Sequence, residues 1–336
     1  MSHVLETAFT RHVGIEVPLI CGATYPCSNP ELVAAVSAAG GIGIIQPIAM
    51  RFVHGHELRA GIRLIRSMTD KPVGFNALIE ASSKIYLERM RAWVDVALEE
   101  GVRFFVTALG NPRWVVDKVH AVGGVVYHDV TNRKWADKAL DGGVDGLICV
   151  NARAGGHSGE SDPRRLIDDL GDLGVPLVCA GGIGDEAAFA DVLEQGYAAA
   201  QLGTRFIASE ECLAHADYKG AILTAKEQDI VHTLRPSGVP VAVINTPHVQ
   251  RTGTDAGWLG RRMLRHRRFK HWARSYYSLR SVWQLKRASL EGSRYQDFFQ
   301  AGMSVDTIDK IEPAGEIVRS FGEAARARLA SSADSP

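Results

Sequence analysis

The stretch "VPLVCAGGIGDEAAFADVLEQGYAAAQLGTRF" (Val175–Phe206) contains the structural unit from which most of the chain is built. An apolar run, "PLVCAGG" (Pro176–Gly182), leads into a glycine turn, and the helix-like segment "DEAAFADVLEQG" follows it. A second apolar run, "AAAQLG" (Ala198–Gly203), ends in another glycine turn. Strands that are apolar nearly throughout are typical of parallel sheets buried on both faces. The stretch therefore predicts a strand–helix–strand unit.

The same unit recurs toward the N-terminus. Six earlier apolar runs alternate with helix-like segments, several of which begin at Asn or Asp and end at Gly, as helix caps require. These runs are Val17–Gly22, Gly41–Gln46, Pro72–Ala77, Arg103–Ala108, Gly124–Asp129 and Val144–Val150. Eight strands alternating with helices predict an α/β fold, a (β/α)₈ TIM barrel. An open, doubly wound sheet is the alternative.

The strand–helix rhythm stops after Gly203, which suggests a division of the chain. We predict a barrel over residues 1–205 and a basic, aromatic-rich helical cap, inserted after strand eight, over residues 206–300. The amphipathic segment at 301–336 is predicted to be a C-terminal helix that returns to the barrel.

Composition favours a globular enzyme. Of 336 residues, 46% are hydrophobic and 23% are charged, which is ordinary for such proteins. No apolar stretch approaches the roughly 18 to 20 residues that cross a bilayer, and the N-terminus lacks a secretory pattern, so we expect a cytoplasmic protein. The five cysteines form no C-x-x-C pair, and "HGH" (His54–His56) lacks partners at ligand spacing, so no metal site is predicted.

The basic residues are unevenly distributed. Ten of the 38 Lys/Arg lie between Arg261 and Arg287, a segment without Asp or Glu, so the rest of the chain is net acidic. Such a basic segment could receive a phosphorylated partner, or it could pack its aromatic residues on the barrel and leave its charges in solvent. No nucleic-acid module is recognisable, so nucleic acid is not expected as a partner.

The turns after strands seven and eight have the features of an anion site. Barrel enzymes often bind a phosphate at these two strand ends. Gly181 and Gly182 remove side chains, so backbone N–H groups can approach an anion, while Gly203 and Thr204 add a second set of N–H groups and a hydroxyl. The glycines could instead serve only tight turns. "AGGIGI" (Ala39–Ile44) lies before a strand instead of after one, which argues against a dinucleotide-binding loop.

The motif "AGGHSG" (Ala154–Gly159) follows strand six and should lie at the same barrel end. Gly155 and Gly156 would let the backbone pass close to a flat ligand and would direct His157 into the mouth. A histidine titrates near neutral pH and can act as a base or as a hydrogen-bond donor. The other interpretation is a loop histidine bonded to a neighbouring carbonyl.

Several of these motifs carry a family resemblance. "ARAGGHSG", "VPLVCAGGIGD" and "AAAQLGTRFIASEEC" together resemble the nitronate monooxygenase (2-nitropropane dioxygenase) family of FMN-dependent TIM barrels. "VPLICGATYPCSNPELVAAVSAAGGIGII" is similar to the opening segment of that family, and "AGMSVDTIDKIEPAGEIVRSF" to its closing segment. The likeness weakens between about residues 231 and 300.

The resemblance implies FMN and a set of site residues. In such a family His157 would be catalytic, as a base or a substrate-positioning residue, in the oxidation of small nitronates or nitroalkanes by O2 without a nicotinamide. The residues expected to contact FMN are, at the ring, Gly22, Ala23, Thr24 and Asn76; along the cofactor, Gly155 and Gly156; and at the phosphate, Ala180, Gly181, Gly182, Gly203 and Thr204.

The chain also departs from the family pattern on the substrate side. Cys21-Gly22-Ala23-Thr24 stands where Gln-Gly-x-Met is common, and Asn151-Ala152-Arg153 stands where Gly-x-Glu is common. "GNP" (Gly110–Pro112) is similar to a reductase branch in which NAD(P)H reduces FMN for quinones or enoyl thioesters. That activity is therefore the alternative, and a barrel that binds flavin or an acyl ligand without turnover is a second one.

Weaker candidates remain at other strand ends. Tyr25 could close over a substrate after strand one, and Tyr127 and His128 end strand five, where His128 could contact a substrate. His232 lies outside the barrel runs and is not assigned a role. The expected partners are a small-molecule substrate and O2, without nucleic acid or membrane, and a homodimer is left open.

Overall fold

A computed structural model describes residues 4–80, 84–234, 240–254 and 298–333. Eight parallel strands form a closed barrel in sequence order, because the eighth strand pairs with the first through Gln201 and Ile20. The predicted (β/α)₈ barrel is thus confirmed, and the open sheet is excluded. The strands are β1 Leu19–Cys21, β2 Ile42–Ile45, β3 Gly74–Leu78, β4 Phe104–Ala108, β5 Val125–Val130, β6 Gly146–Val150, β7 Leu177–Ala180 and β8 Ala199–Leu202.

Helices lie before β1 and between the strands, and two of them were not predicted from the sequence. The unpredicted helices are α1, before β1, and α3, after β2. The helices up to β8 are α1 Ala8–Val13, α2 Pro30–Ala38, α3 Pro47–Phe52, α4 Leu58–Met68, α5 Lys84–Glu99, α6 Arg113–His120, α7 Arg133–Asp141, α8 Pro163–Leu170 and α9 Glu186–Glu194.

The strands are apolar nearly throughout because each buries both faces. One large cluster fills the layer between the strands and the helices, and a smaller cluster fills the barrel interior. Helix α1 closes the amino-terminal end of the barrel, where the Phe9 ring packs edge-on against Phe104 and Tyr127 at centroid distances of 5.5 and 5.4 Å. The strands finish at the opposite end of the barrel.

The glycine-rich "AGGIGI" segment joins α2 to β2. A Cβ at Gly43 would lie 2.4 Å from the carbonyl oxygen of Val33 on α2, so only glycine allows this close packing of helix on strand. The segment therefore serves packing, in agreement with its rejection as a dinucleotide loop.

The chain after β8 adds a pair of strands that was not predicted. Strands β9 (Ile230–Thr233) and β10 (Val241–Ile244) form an antiparallel pair, within the region for which only helices were expected. The other elements here are α10 Thr204–Ile207, α11 Ala216–Thr224 and α12 Pro247–Thr252. The basic segment Arg261–Arg287 lies outside the described residues, so its predicted roles stay predictions.

The chain returns to the barrel through helix α13 (Ala314–Ala333). Its Phe321 ring lies 5.6 Å from that of Phe189 on α9, and Arg328 pairs with Asp191 at 2.6 Å. In the part of the chain that the structure describes, every helix is too short or too polar to cross a bilayer.

Candidate active site

The carboxyl ends of the barrel strands define the mouth of the barrel, and three polar side chains face inward there. Strand pairing fixes this orientation, since residues paired in a sheet point to the same side. Asn76, Asp129 and Gln201 pair with residues of the inner cluster, namely Val106, Ile148 and Ala180. All three are partly accessible to solvent. A cavity of about 300 Å³ at the opposite barrel end contains none of the predicted site residues.

The turn after β7 is built for a close approach. Gly181 and Gly182 have φ of +115° and +80°, which side chains rarely adopt. An added Cβ at Gly181 would meet the Ala154 backbone nitrogen at 2.6 Å. The N–H groups of Gly182 and Ile183 donate to no described residue, which leaves two backbone donors for an anion.

The turn after β8 lies beside the turn after β7, because Gln201 of β8 pairs with Ala180 of β7. The N–H groups of Gly203 and Thr204 also donate to no described residue. Thr24 lies next to this turn, with its hydroxyl 3.5 Å from where a Gly203 Cβ would stand. The two turns therefore bring together donors that fit a phosphate monoester, as FMN carries.

Asn151 binds the loop after β6 to the turn after β7. It is fully buried, its Nδ2 donates to the Gly181 carbonyl at 2.9 Å, and its Oδ1 accepts the Arg153 N–H at 2.8 Å. Asn151, which departs from the family pattern, therefore fixes the loop after β6 relative to the backbone N–H groups of the turn after β7.

The glycines of "AGGHSG" have a packing role in the protein. A Cβ at Gly155 would lie 2.8 Å from the Gly302 nitrogen. Gly156 exchanges two hydrogen bonds with Ala242 of β10, at 3.2 and 2.7 Å. Their contact with a cofactor remains a prediction, but the loop that carries His157 is held from two sides.

His157 is exposed to solvent at the mouth, and its imidazole has no hydrogen bond to a described residue. The protein around it removes part of its hydration, which lowers its pKa from the ordinary value of 6.5. The ring is therefore neutral at pH 7, and it can accept a proton or donate one hydrogen bond. The adjacent Ser158 hydroxyl is 2.8 Å from Nε2 of His232 on β9.

The two proposed substrate residues differ in their placement. Tyr25 follows β1 at the mouth, and burial raises its pKa to about 12, so its hydroxyl stays protonated. His128 is buried, lies 2.8 Å through Nδ1 from the Thr107 hydroxyl, and has a pKa lowered to about 4 by burial. Its side chain points away from the barrel interior, because Tyr127 and Asp129 on either side of it face inward. The structure therefore does not bring His128 together with His157. Tyr127 faces the barrel interior and contacts His12 at 3.1 Å.

Asp129 was not selected from the sequence. Its Oδ1 is buried without a hydrogen-bond partner among the described residues, and desolvation raises its pKa to about 7. Strand alternation could have identified it, since it shares the inward parity of Tyr127. The mouth thus contains a carboxyl group that titrates near neutral pH.

We expect Asp129→Asn to stabilise the protein more at about pH 8 than at about pH 5. The folded pKa is raised above the unfolded value, so the folded state holds more protons between these two values, and stability falls as the pH rises through that window. Asparagine removes this penalty, so unfolding at pH 8 should cost about 1–3 kcal/mol more. Denaturant melts at both pH values measure the difference. The exposed Asp117→Asn is the control, and equal effects of the two variants would refute a desolvated Asp129 whose Oδ1 has no partner among the described residues.

Arg153 was also not selected from the sequence, and the structure places its side chain beside the turn after β7. Its side chain lies against Gly182, because an added Cβ there would be 2.6 Å from Nε. Its guanidinium pairs with Glu227 at 2.9 Å. From the sequence, Arg153 was only a departure from the family pattern.

Comparisons with known proteins identify a family and several similar proteins with different names. A family model described as nitronate monooxygenase matches residues 6–323. A (3aS,4S,5R,7aS)-5-hydroxy-7a-methyl-1-oxo-octahydro-1H-indene-4-carboxyl-CoA dehydrogenase from Rhodococcus jostii is 31% identical over 72% of this chain and 66% of that protein, just under two thirds of its length. A nitronate monooxygenase from Pseudomonas aeruginosa is 30% identical over 68% of this chain and 77% of that protein. The solved structure of FabK from Thermotoga maritima has a TM-score of 0.80 and 29% identity, covering 98% of both chains.

Proposed function

The chain belongs to the nitronate monooxygenase family, and from that membership we propose that it is an FMN-dependent oxidoreductase that oxidises small alkyl nitronates or nitroalkanes with O2. The observation that carries the proposal is the shared location of two features. The N–H groups of the two glycine turns, which donate to no described residue, and the exposed His157 lie at one barrel mouth. Asn151 joins the turn after β7 to the loop of His157 through its bond to Gly181.

FMN would supply the electron acceptor and the reaction with oxygen, and the protein would supply placement and charge. The phosphate would lie on the N–H groups of Gly182, Ile183, Gly203 and Thr204. The inward-facing Asn76 and Gln201 would contact the ring from the barrel side, together with Gly22, Ala23 and Thr24. These residues fit such a group because they offer polar atoms without bulk.

His157 would act on the substrate in one of two ways. For a nitronate, which is already an anion, an imidazole N–H would donate to a nitro oxygen and orient the molecule. For a neutral nitroalkane, the unprotonated nitrogen would accept the proton from the carbon next to the nitro group. Accepting a proton needs the neutral ring, and the lowered pKa keeps the ring neutral at neutral pH. The donor role is open to the neutral and to the protonated ring.

We expect turnover of a neutral nitroalkane to persist below pH 6.5. The lowered pKa keeps His157 unprotonated there, so the rate should fall only in more acidic solution. The measurement is kcat/KM against pH in an Asp129→Asn background, since the Asp129 carboxyl titrates at about 7. A loss of rate that is centred above pH 6.5 in this background would exclude His157 as the base.

A second candidate is an NAD(P)H-dependent flavin reductase of quinones or enoyl thioesters. One similarity favours it, because the Rhodococcus jostii relative is named as a carboxyl-CoA dehydrogenase. A barrel that binds flavin or an acyl ligand without turnover is the third candidate.

Oxygen uptake separates these candidates. With propane 2-nitronate as the substrate, we expect O2 consumption that does not require NADH or NADPH. Turnover only when a nicotinamide and a quinone or an enoyl thioester are both present would transfer the proposal to the second candidate. Bound FMN without any turnover would favour the third.

A further inference from the structure

We propose that Arg153 is a phosphate-binding residue whose guanidinium, held by Glu227 against Gly182, completes the anion site for the phosphate of FMN. This inference rests on the proposed function, because it takes FMN as the ligand of the two glycine turns. It assigns a role to a residue that departs from the family pattern, and it predicts how this chain distinguishes FMN from riboflavin.

The backbone of Arg153 is fixed on both sides. Its N–H donates to Oδ1 of Asn151 at 2.8 Å, and its carbonyl accepts the N–H of Met303 at 2.9 Å. Asn151 in turn binds the Gly181 carbonyl. The start of the Arg153 side chain is therefore set by the same residue that positions the turn after β7.

The side chain runs along this turn. A Cβ at Gly182 would lie 2.6 Å from Nε, 2.9 Å from Cδ and 3.0 Å from Cβ of Arg153. Glycine at this position thus makes room for an arginine as well as for an anion. An anion that binds the N–H groups of Gly182 and Ile183 would have the guanidinium beside it.

Glu227 holds the guanidinium without using all of its donors. The pair joins Nη2 to Oε2 at 2.9 Å and Nη1 to Oε1 at 3.4 Å. A guanidinium has five N–H donors, so further donors, among them the Nε–H next to Gly182, are left for a ligand. Both side chains are more than a third exposed, at 37% and 44%, and exposed pairs stabilise proteins little. The pair with Glu227 is therefore better explained as orienting the Arg153 guanidinium than as stabilising the fold.

The surrounding charges show why an arginine is needed. Glu227 lies at this side of the mouth, and its N–H faces Oδ1 of Asp306 at 3.5 Å. A phosphate with nearly two negative charges would be repelled by these carboxylates if only neutral N–H groups held it. Arg153 supplies a positive charge between the turn and Glu227, and planar guanidinium groups bind phosphate oxygens in pairs.

The test compares FMN with riboflavin, which lacks the phosphate, on the cofactor-free protein. Binding is followed by quenching of flavin fluorescence in the wild type, in Arg153→Ala and in Arg153→Lys. Loss of a charge-assisted contact should weaken FMN binding roughly 10- to 100-fold in Arg153→Ala, while riboflavin binding should change less than about twofold. Arg153→Lys, which keeps the charge but loses the fork, should fall between the two.

The control variant replaces an arginine that lies away from the proposed site. Arg165→Ala removes an exposed arginine of α8 that pairs with Asp169, and it should leave both affinities unchanged. Equal weakening of FMN and riboflavin in Arg153→Ala would show a general structural role and overturn the inference, as would unchanged FMN binding. A wild-type protein that binds neither flavin would instead overturn the proposed function.

Discussion

Gly182→Asp protein is expected to be purified without FMN. The residue has φ of +80°, and its new Cβ would meet the Arg153 side chain at 2.6 Å, so the turn and the arginine must both move. The added carboxylate would lie beside the N–H groups proposed to hold the phosphate, and like charges placed together cost several kcal/mol. We therefore expect FMN affinity to fall at least about a hundredfold.

The flavin-to-protein absorbance ratio of the purified protein measures this loss. Gly174→Asp is the matched control, because Gly174 also has a positive φ, of +70°, but has open space around its Cβ position. Aspartate at Gly174 strains the backbone in the same way but away from the mouth, so the Gly174→Asp protein should keep its FMN. A Gly182→Asp protein with a full complement of FMN would mean that the phosphate lies elsewhere.

His157→Ala is expected to keep FMN and to lose about a hundredfold or more in turnover, the usual scale for a missing general base. The residue is exposed at the mouth, and its imidazole lacks a bond to a described residue, so its removal should leave the fold intact. Steady-state oxygen uptake with a neutral nitroalkane gives the rate, and the visible spectrum shows that the cofactor is present.

Two further variants divide the roles of His157. His157→Asn keeps an N–H donor but cannot take a proton, so it should retain more activity with a nitronate than with a neutral nitroalkane. His120→Ala, at the opposite end of the barrel beside Asp145, should leave the rate within about twofold. Wild-type turnover by His157→Ala would remove the histidine from the mechanism.

The barrel could be predicted from the sequence because each strand buries both faces. Runs such as Pro176–Gly182 are apolar at odd and at even positions, which distinguishes them from strands with one solvent-exposed face. Helix α1 was missed because it is only six residues long and is stabilised by packing of Phe9 into the barrel end, a tertiary contact. The β9–β10 pair was missed because its strands are short and depend on each other and on Gly156.

The glycine turns were recognisable because strand ends and glycines are both local signals. The link formed by Asn151 was not, since its bond to Gly181 joins residues that are distant in sequence. His128 was selected from its place at a strand end, yet strand parity puts it in the layer outside the barrel, and the neighbouring Asp129 faces inward. Parity was available from the sequence, whereas the missing partner of Asp129 Oδ1 required the structure.

We propose that this barrel holds FMN and that a nitronate alone reduces it. The most direct measurement is the visible spectrum of the purified protein under anaerobic conditions, before and after propane 2-nitronate, NADH or NADPH is added in separate cuvettes. We predict a flavin spectrum that changes to a reduced form with the nitronate and stays unchanged with either nicotinamide. Bleaching by NADH or NADPH alone would exclude the nitronate oxidase and assign the protein to the reductase activity.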